Sequence, residues 1–189
     1  RYTKKISNFF KKSFNLLQEG LFVQIKNTLN NFMYLYINKK ILSFDNDGTI
    51  LASNIILIKL MSLCFITFSG IYSVSTILIP IEKIAQKDKE ARNRLMLWSF
   101  GIGILQSILL LNSQFLFSFL TSDINVINIC KKLIGLASLY QIIYGISFIL
   151  EGILQGYQKF QHSGIANIIS LLPTIILIYN SSNLSQIWL

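Results

Sequence analysis

Five polar residues carry the chemistry that this sequence offers. Counting 100° per residue along a helix from Tyr140, Tyr144 falls at about 40°, Ser147 at about 340°, Glu151 at about 20° and Gln155 at about 60°. They form one polar stripe, and Gln141 stands beside its first member. The other faces carry Leu139, Ile142, Ile143, Ile146, Phe148, Ile149, Ile153 and Leu154, which suit lipid or packed neighbours. A carboxylate inside such an apolar run costs several kcal/mol unless it is paired, hydrated or protonated, so it points to function. Tyrosine hydroxyls and a carboxylate converging on a cavity can coordinate a small cation or exchange a proton. The competing reading places Glu151, close to Lys159 and the end of the run, at the membrane interface.

Gln24, Asn27, Thr28 and Asn31 make a second polar stripe on the first apolar stretch, which Asn30, Glu19 and Lys26 also interrupt. It predicts a helix that faces the same cavity, the alternative being polar contacts between helices. Lys59 lies one or two turns inside its run and is expected to snorkel to the surface. Gly152 and Gly156 form a G-x-x-x-G, and Gly101 and Gly103 a G-x-G inside an apolar helix; both are read as packing features. His162 is read as an interface residue, and Cys64 and Cys130 as small apolar residues. With no Walker sequence, no metal-ligand spacing and one histidine, an enzyme is not expected, and neither is a cofactor beyond a coupling proton or sodium ion.

The elements that must position these residues follow from composition. The chain has 189 residues, 52% of them hydrophobic and only 13% charged, against about 25% charged in a typical globular domain. About 20 apolar residues suffice to cross a bilayer as a helix. Charge-free stretches run over 60–81, 95–122, 133–150 and 160–189, and a more polar one over about 14–36. The prediction is an all-α polytopic transmembrane bundle of about five spans, near 14–36, 52–80, 95–119, 130–154 and 163–180, behind a basic segment 1–13, with a further span opening at 187–189. Asn46-Asp47-Gly48 signals the first turn, Pro80 closes the second span, Thr121-Ser122-Asp123 offers caps, and Pro173 should kink the last span.

The chain carries 17 Lys+Arg against 8 Asp+Glu, a net +9. These cations sit between apolar runs, so membrane topology explains them and no nucleic-acid partner is expected. Arg1, Lys4, Lys5, Lys11, Lys12, Lys83, Lys87, Lys89, Arg92, Arg94 and Lys159 fall on one side. Lys39, Lys40, Lys131 and Lys132 fall on the other, which makes the first side cytoplasmic or its organellar equivalent. Because the chain opens at Arg1 and ends where a further span is expected, it reads as a piece of a longer protein.

The run Leu139-Tyr140-Gln141, then Ser147-Phe148-Ile149-Leu150-Glu151-Gly152 and Leu154-Gln155-Gly156-Tyr157, resembles the multidrug and toxic compound extrusion (MATE) transporters. Asn54-Ile55-Ile56 to Ser75-Thr76 is similar to that family's eighth helix, Ile84-Ala85-Gln86-Lys87-Asp88 to its basic connector, and Leu120-Thr121-Ser122-Asp123 to the turn before its tenth helix. The likeness covers about residues 14–189 and is strongest to the branch of the DNA-damage-inducible F proteins and their plant plastid relatives. It implies the C-terminal lobe of a twelve-helix fold, helices seven to eleven, with the N-terminal lobe of the same chain as its missing partner.

The resemblance further implies export of drugs, toxic organic compounds or organic acids by antiport against protons or sodium, through alternating access, in the plasma membrane or an organelle membrane such as the plastid envelope. The tyrosine that the sodium-coupled branch uses on its tenth helix matches Tyr140, but the aspartate one turn on is Tyr144 here, and the seventh-helix glutamate falls near Asn30. Glu151 matches an acidic position of the most similar branch, whose eighth-helix acid is Ser69 here. The candidate substrate- or cation-binding residues are therefore Tyr140, Gln141, Tyr144, Ser147, Glu151, Gln24, Asn27, Asn30 and Asn31. Two alternatives stay open: a lipid or oligosaccharide-lipid flippase of the wider superfamily, and a non-transporting scaffold or degenerate half-transporter.

Overall fold

The computed structural model describes residues 2–188. Arg1, counted above on the basic side, and Leu189, the last residue of the expected further span, lie outside the described residues. The chain is an all-α bundle with no strand among those residues. Its helices are α1 (Tyr2–Leu42), α2 (Thr49–Ile84), α3 (Asp88–Asn112), α4 (Phe117–Leu120), α5 (Ile124–Gly156), α6 (Phe160–Asn180) and α7 (Leu184–Trp188). A 3-10 turn over Ser113–Leu116 joins α3 to α4. Among the described residues, four stretches are long and apolar enough to cross a membrane: Thr49–Ile84, Asp88–Leu120, Ile124–Gly156 and Phe160–Asn180. At 41 residues α1 is the longest helix, about 60 Å at 1.5 Å per residue, but it is more polar and is not among the four.

Local sequence explains where the helices begin and end. Between α1 and α2 the Asp45 carboxylate accepts the Gly48 amide at 3.0 Å and the Leu51 amide at 2.8 Å. It thereby satisfies donors that the first turn of α2 leaves free. Gly48 adopts φ +79°, a left-handed conformation that glycine tolerates and side chains resist. Asp123 caps α5 by accepting the Asn125 amide at 2.8 Å. Pro80 does not close α2, which runs one more turn to Ile84. Proline gives up its own bond to the preceding turn and its ring crowds the carbonyl four residues back, but the residues after it resume helical bonding. Pro173 likewise lies inside α6.

Two sub-bundles result. In the first, α5 lies against α2 and α3, and α2 against α3. Missing side chains make the α5 contact with α2 close: a Cβ on Gly145 would overlap the Phe68 ring, and one on Gly152 the Ser75 hydroxyl. At Gly156 it would lie 2.9 Å from Ile79 Cβ. The G-x-x-x-G thus serves helix packing, as small residues do between membrane helices. One buried cluster gathers Leu57, Leu60, Leu110, Phe117, Cys130, Leu133 and Ile134, and a second Ile79, Ala91, Leu95, Ile149 and Ile153. The second sub-bundle is α1 on α6, where the Phe22 ring meets Gly164 and Asn167 Nδ2 donates to Asn30 Oδ1 at 3.2 Å. Contact between the sub-bundles is much thinner, and a cavity opens between them.

Candidate functional site

The cavity has a volume of about 880 Å³. From α5 it receives Tyr140, Gln141, Tyr144, Ser147, Phe148 and Glu151, so four of the five members of the polar stripe expected on that helix lie along one wall and Gln155 falls outside the lining. Facing it, α1 contributes Lys26, Asn27, Asn30, Met33, Tyr34 and Ile37, while α2 adds Asn54, Ile58, Met61, Ser62 and Phe65. Asn167 of α6 and Ile187 and Trp188 of α7 complete the lining. Seven of the nine candidate residues are thus brought together; Gln24 and Asn31 are not in the lining.

The stripe expected on α1 is not the face that turns inward: of Gln24, Asn27, Thr28 and Asn31, Asn27 alone reaches the lining, and the phase of the helix accounts for it. Counted from Lys26 at 100° per residue, Asn30, Met33 and Ile37 lie within about 40°, Tyr34 and Asn27 at about 80° and 100°, and Asn31 and Gln24 at about 140° and 160°. A cavity that subtends the first arc does not reach the last two positions. Packing of α1 on α6 fixes that rotation.

Lys26 Nζ donates to Glu151 Oε1, an ion pair across the cavity between α1 and α5. The same oxygen accepts Gln155 Nε2 at 3.1 Å. The two side chains are 11% and 23% exposed, so the pair is largely withdrawn from solvent but open to the cavity. Glu151 therefore points inward rather than toward Lys159. Lys26 and Glu151 are the charged residues of the described lining, and they balance. The oxygen-bearing side chains of the α5 lining are the Tyr140, Tyr144 and Ser147 hydroxyls, the Gln141 amide and the Glu151 carboxylate.

Polar contacts extend from the cavity into the first sub-bundle. Gln141 Nε2 donates to Gln106 Oε1 at 3.1 Å, and Gln106 Nε2 donates to the Cys64 carbonyl at 2.9 Å, tying α5, α3 and α2 through a buried amide chain. An aromatic column follows α5: Tyr140 stacks on Tyr144, Tyr144 on Phe148 and Phe148 on Tyr72, with ring centroids 5.7, 5.9 and 4.7 Å apart. At the opposite end from Glu151, Trp188 Nε1 donates to Asn54 Oδ1 at 3.1 Å, and its ring meets Tyr140 edge-on.

The family model MatE matches residues 23–180, most of the chain, from the middle of α1 to the end of α6. The chain belongs to the MatE family. No curated protein and no solved structure matches it. MatE is a family of membrane transporters, and with four stretches apolar enough to cross a bilayer this MatE chain is a multi-pass integral membrane protein.

Lys26, Asn54, Asn167 and Trp188 are lining residues of the MatE chain that the sequence did not single out as site residues. Lys26 carried a signal, being an ionisable residue within a predicted span, which by default marks a functional position. Asn54, Asn167 and Trp188 carried none, since which face of each helix meets the cavity is a tertiary property. At the end nearer Glu151, Tyr157 Oη donates to Asp88 Oδ2 at 2.5 Å, linking the end of α5 to the start of α3. That bond to a carboxylate holds the Tyr157 hydroxyl above the ordinary tyrosine range.

Proposed function

We propose that this MatE chain forms one lobe of a secondary transporter that exports small organic compounds, drugs or organic acids among them, against an inward flow of protons or sodium ions. The substrate sits in the cavity between α1 and α5, and a second lobe of the same protein closes the other side. One observation supports this reading above the rest: two polar helix faces more than a hundred residues apart in sequence meet around one cavity of about 880 Å³ inside an otherwise apolar bundle. That volume is within the usual range of small-molecule sites, about 300–1,000 Å³. A polar site walled by separately packed helix bundles suits alternating access, in which one bundle moves against another around a fixed site.

Glu151 is the group through which a coupling cation acts, and Tyr140, Gln141, Tyr144, Ser147, Asn27 and Asn30 contact substrate. The membrane is the plasma membrane or that of an organelle. Export of a fluorescent organic cation and of a radiolabelled organic acid is measured in cells expressing the full-length protein, with and without a proton or sodium gradient. Glu151→Gln should reduce gradient-driven export at least tenfold. Transport with unchanged rate and pH dependence removes Glu151 from the mechanism.

A further inference from the structure

Glu151 does not wait empty for a cation, because Lys26 already fills its charge. The two groups belong to different sub-bundles: Lys26 is on α1, which packs on α6, and Glu151 is on α5, the centre of the other. The ammonium is carried on a flexible four-carbon stem, so it can withdraw from the carboxylate without unfolding a turn. Beside the carboxylate, Phe148, Tyr144 and Tyr140 line the same cavity wall as stacked rings, an apolar surface against which the alkyl groups of an organic ammonium can pack.

We infer that Lys26 is a tethered counter-ion that competes for Glu151, so that a monovalent ammonium ligand enters beside the aromatic column only by displacing it. Displacement then breaks the charged link between α1 and α5, so that cation loading loosens the two sub-bundles. Sodium meets the same competitor. The inference deepens the transport reading of this cavity and rests on it.

The test is calorimetric titration of the purified full-length protein in nanodiscs with benzyltrimethylammonium and, separately, with sodium chloride. Lys26→Met should bind benzyltrimethylammonium at least tenfold more tightly than the parent, and Lys26→Met/Glu151→Gln should lose that gain. Lys26→Arg, which keeps the charge and grips the carboxylate with two N–H groups, should weaken binding at least threefold and tests the idea even if the methionine variant does not fold. Equal or weaker binding by Lys26→Met, a gain that survives loss of Glu151, or tighter binding by Lys26→Arg overturns the counter-ion role. The two readings fail separately. A gain in Lys26→Met with unchanged export by Glu151→Gln sinks the transport role of the cavity, whereas lost export with no gain sinks the tethered counter-ion.

Discussion

Lys26 and Glu151, 125 residues apart, meet as an ion pair that bridges the α1/α6 and α2/α3/α5 sub-bundles. Taking charges from water is costly, and the cost is recovered only while both partners are present. With side chains 11% and 23% exposed, the pair lies between a surface bridge and a buried one.

Removing one partner should therefore harm the fold more than removing both. Lys26→Met and Glu151→Leu are each expected to destabilise by about 1–2 kcal/mol, with a coupling energy of about 2–3 kcal/mol, larger than either single effect, so that the double variant loses less than either single one. Denaturant unfolding of the four proteins in detergent measures it. Strictly additive single effects would mean that the pair does not hold the sub-bundles together.

Glycines of α5 and α2 divide by what surrounds them. Gly145→Ala and Gly152→Ala push a methyl into Phe68 and Ser75 and should cost about 1–3 kcal/mol each by forcing α2 away. Gly135 and Gly70 have open space at the same point, so alanine there should be neutral or stabilising by up to about 1 kcal/mol. Thermal unfolding temperatures of the four variants report the contrast. A loss at Gly135 matching that at Gly152 would refute it.

Adjacent asparagines on α1 should behave differently in transport. Asn30 lines the cavity and bonds Asn167, whereas Asn31 is turned about 100° away. Asn30→Ala is expected to raise the KM for export several-fold, and Asn31→Ala to leave it within about twofold. Concentration-dependent export rates decide between them, and equal effects would remove the cavity from substrate binding.

Tyr157 gives a pH prediction. Its bond to Asp88 raises the folded pKa above the ordinary value of 10.0. A group whose folded pKa is raised contributes stability that is fully present below the unfolded value and is lost as pH rises through the folded one. Stability should thus fall as pH climbs past about 10, and Asp88→Asn should move the Tyr157 titration down toward the ordinary range. Carbon-13 NMR of labelled tyrosine follows that ring, and an unmoved titration would show that Asp88 is not its cause.

Much of this protein was legible in its residues. Charge-free runs fixed the apolar helices, because a bilayer rewards apolar length and helices alone satisfy their own backbone there. Asp123 and the Asn46-Asp47-Gly48 turn marked element ends, since capping and left-handed geometry are local matters. The stripe on α5 could be drawn as well, for there polar residues are few and occupy one face.

On α1 the same reasoning reached its limit. Polar residues stand around much of that helix, so sequence offered Gln24, Asn27, Asn30 and Asn31 together and treated Lys26 as an interruption. Contact with α6 chose the rotation that turns Lys26, Asn27 and Asn30 inward and leaves Gln24 and Asn31 out. Helix periodicity gives relative angles within one helix but no absolute phase against its neighbours. The partner of Glu151, and with it the charge balance of the cavity, was therefore decided by tertiary packing.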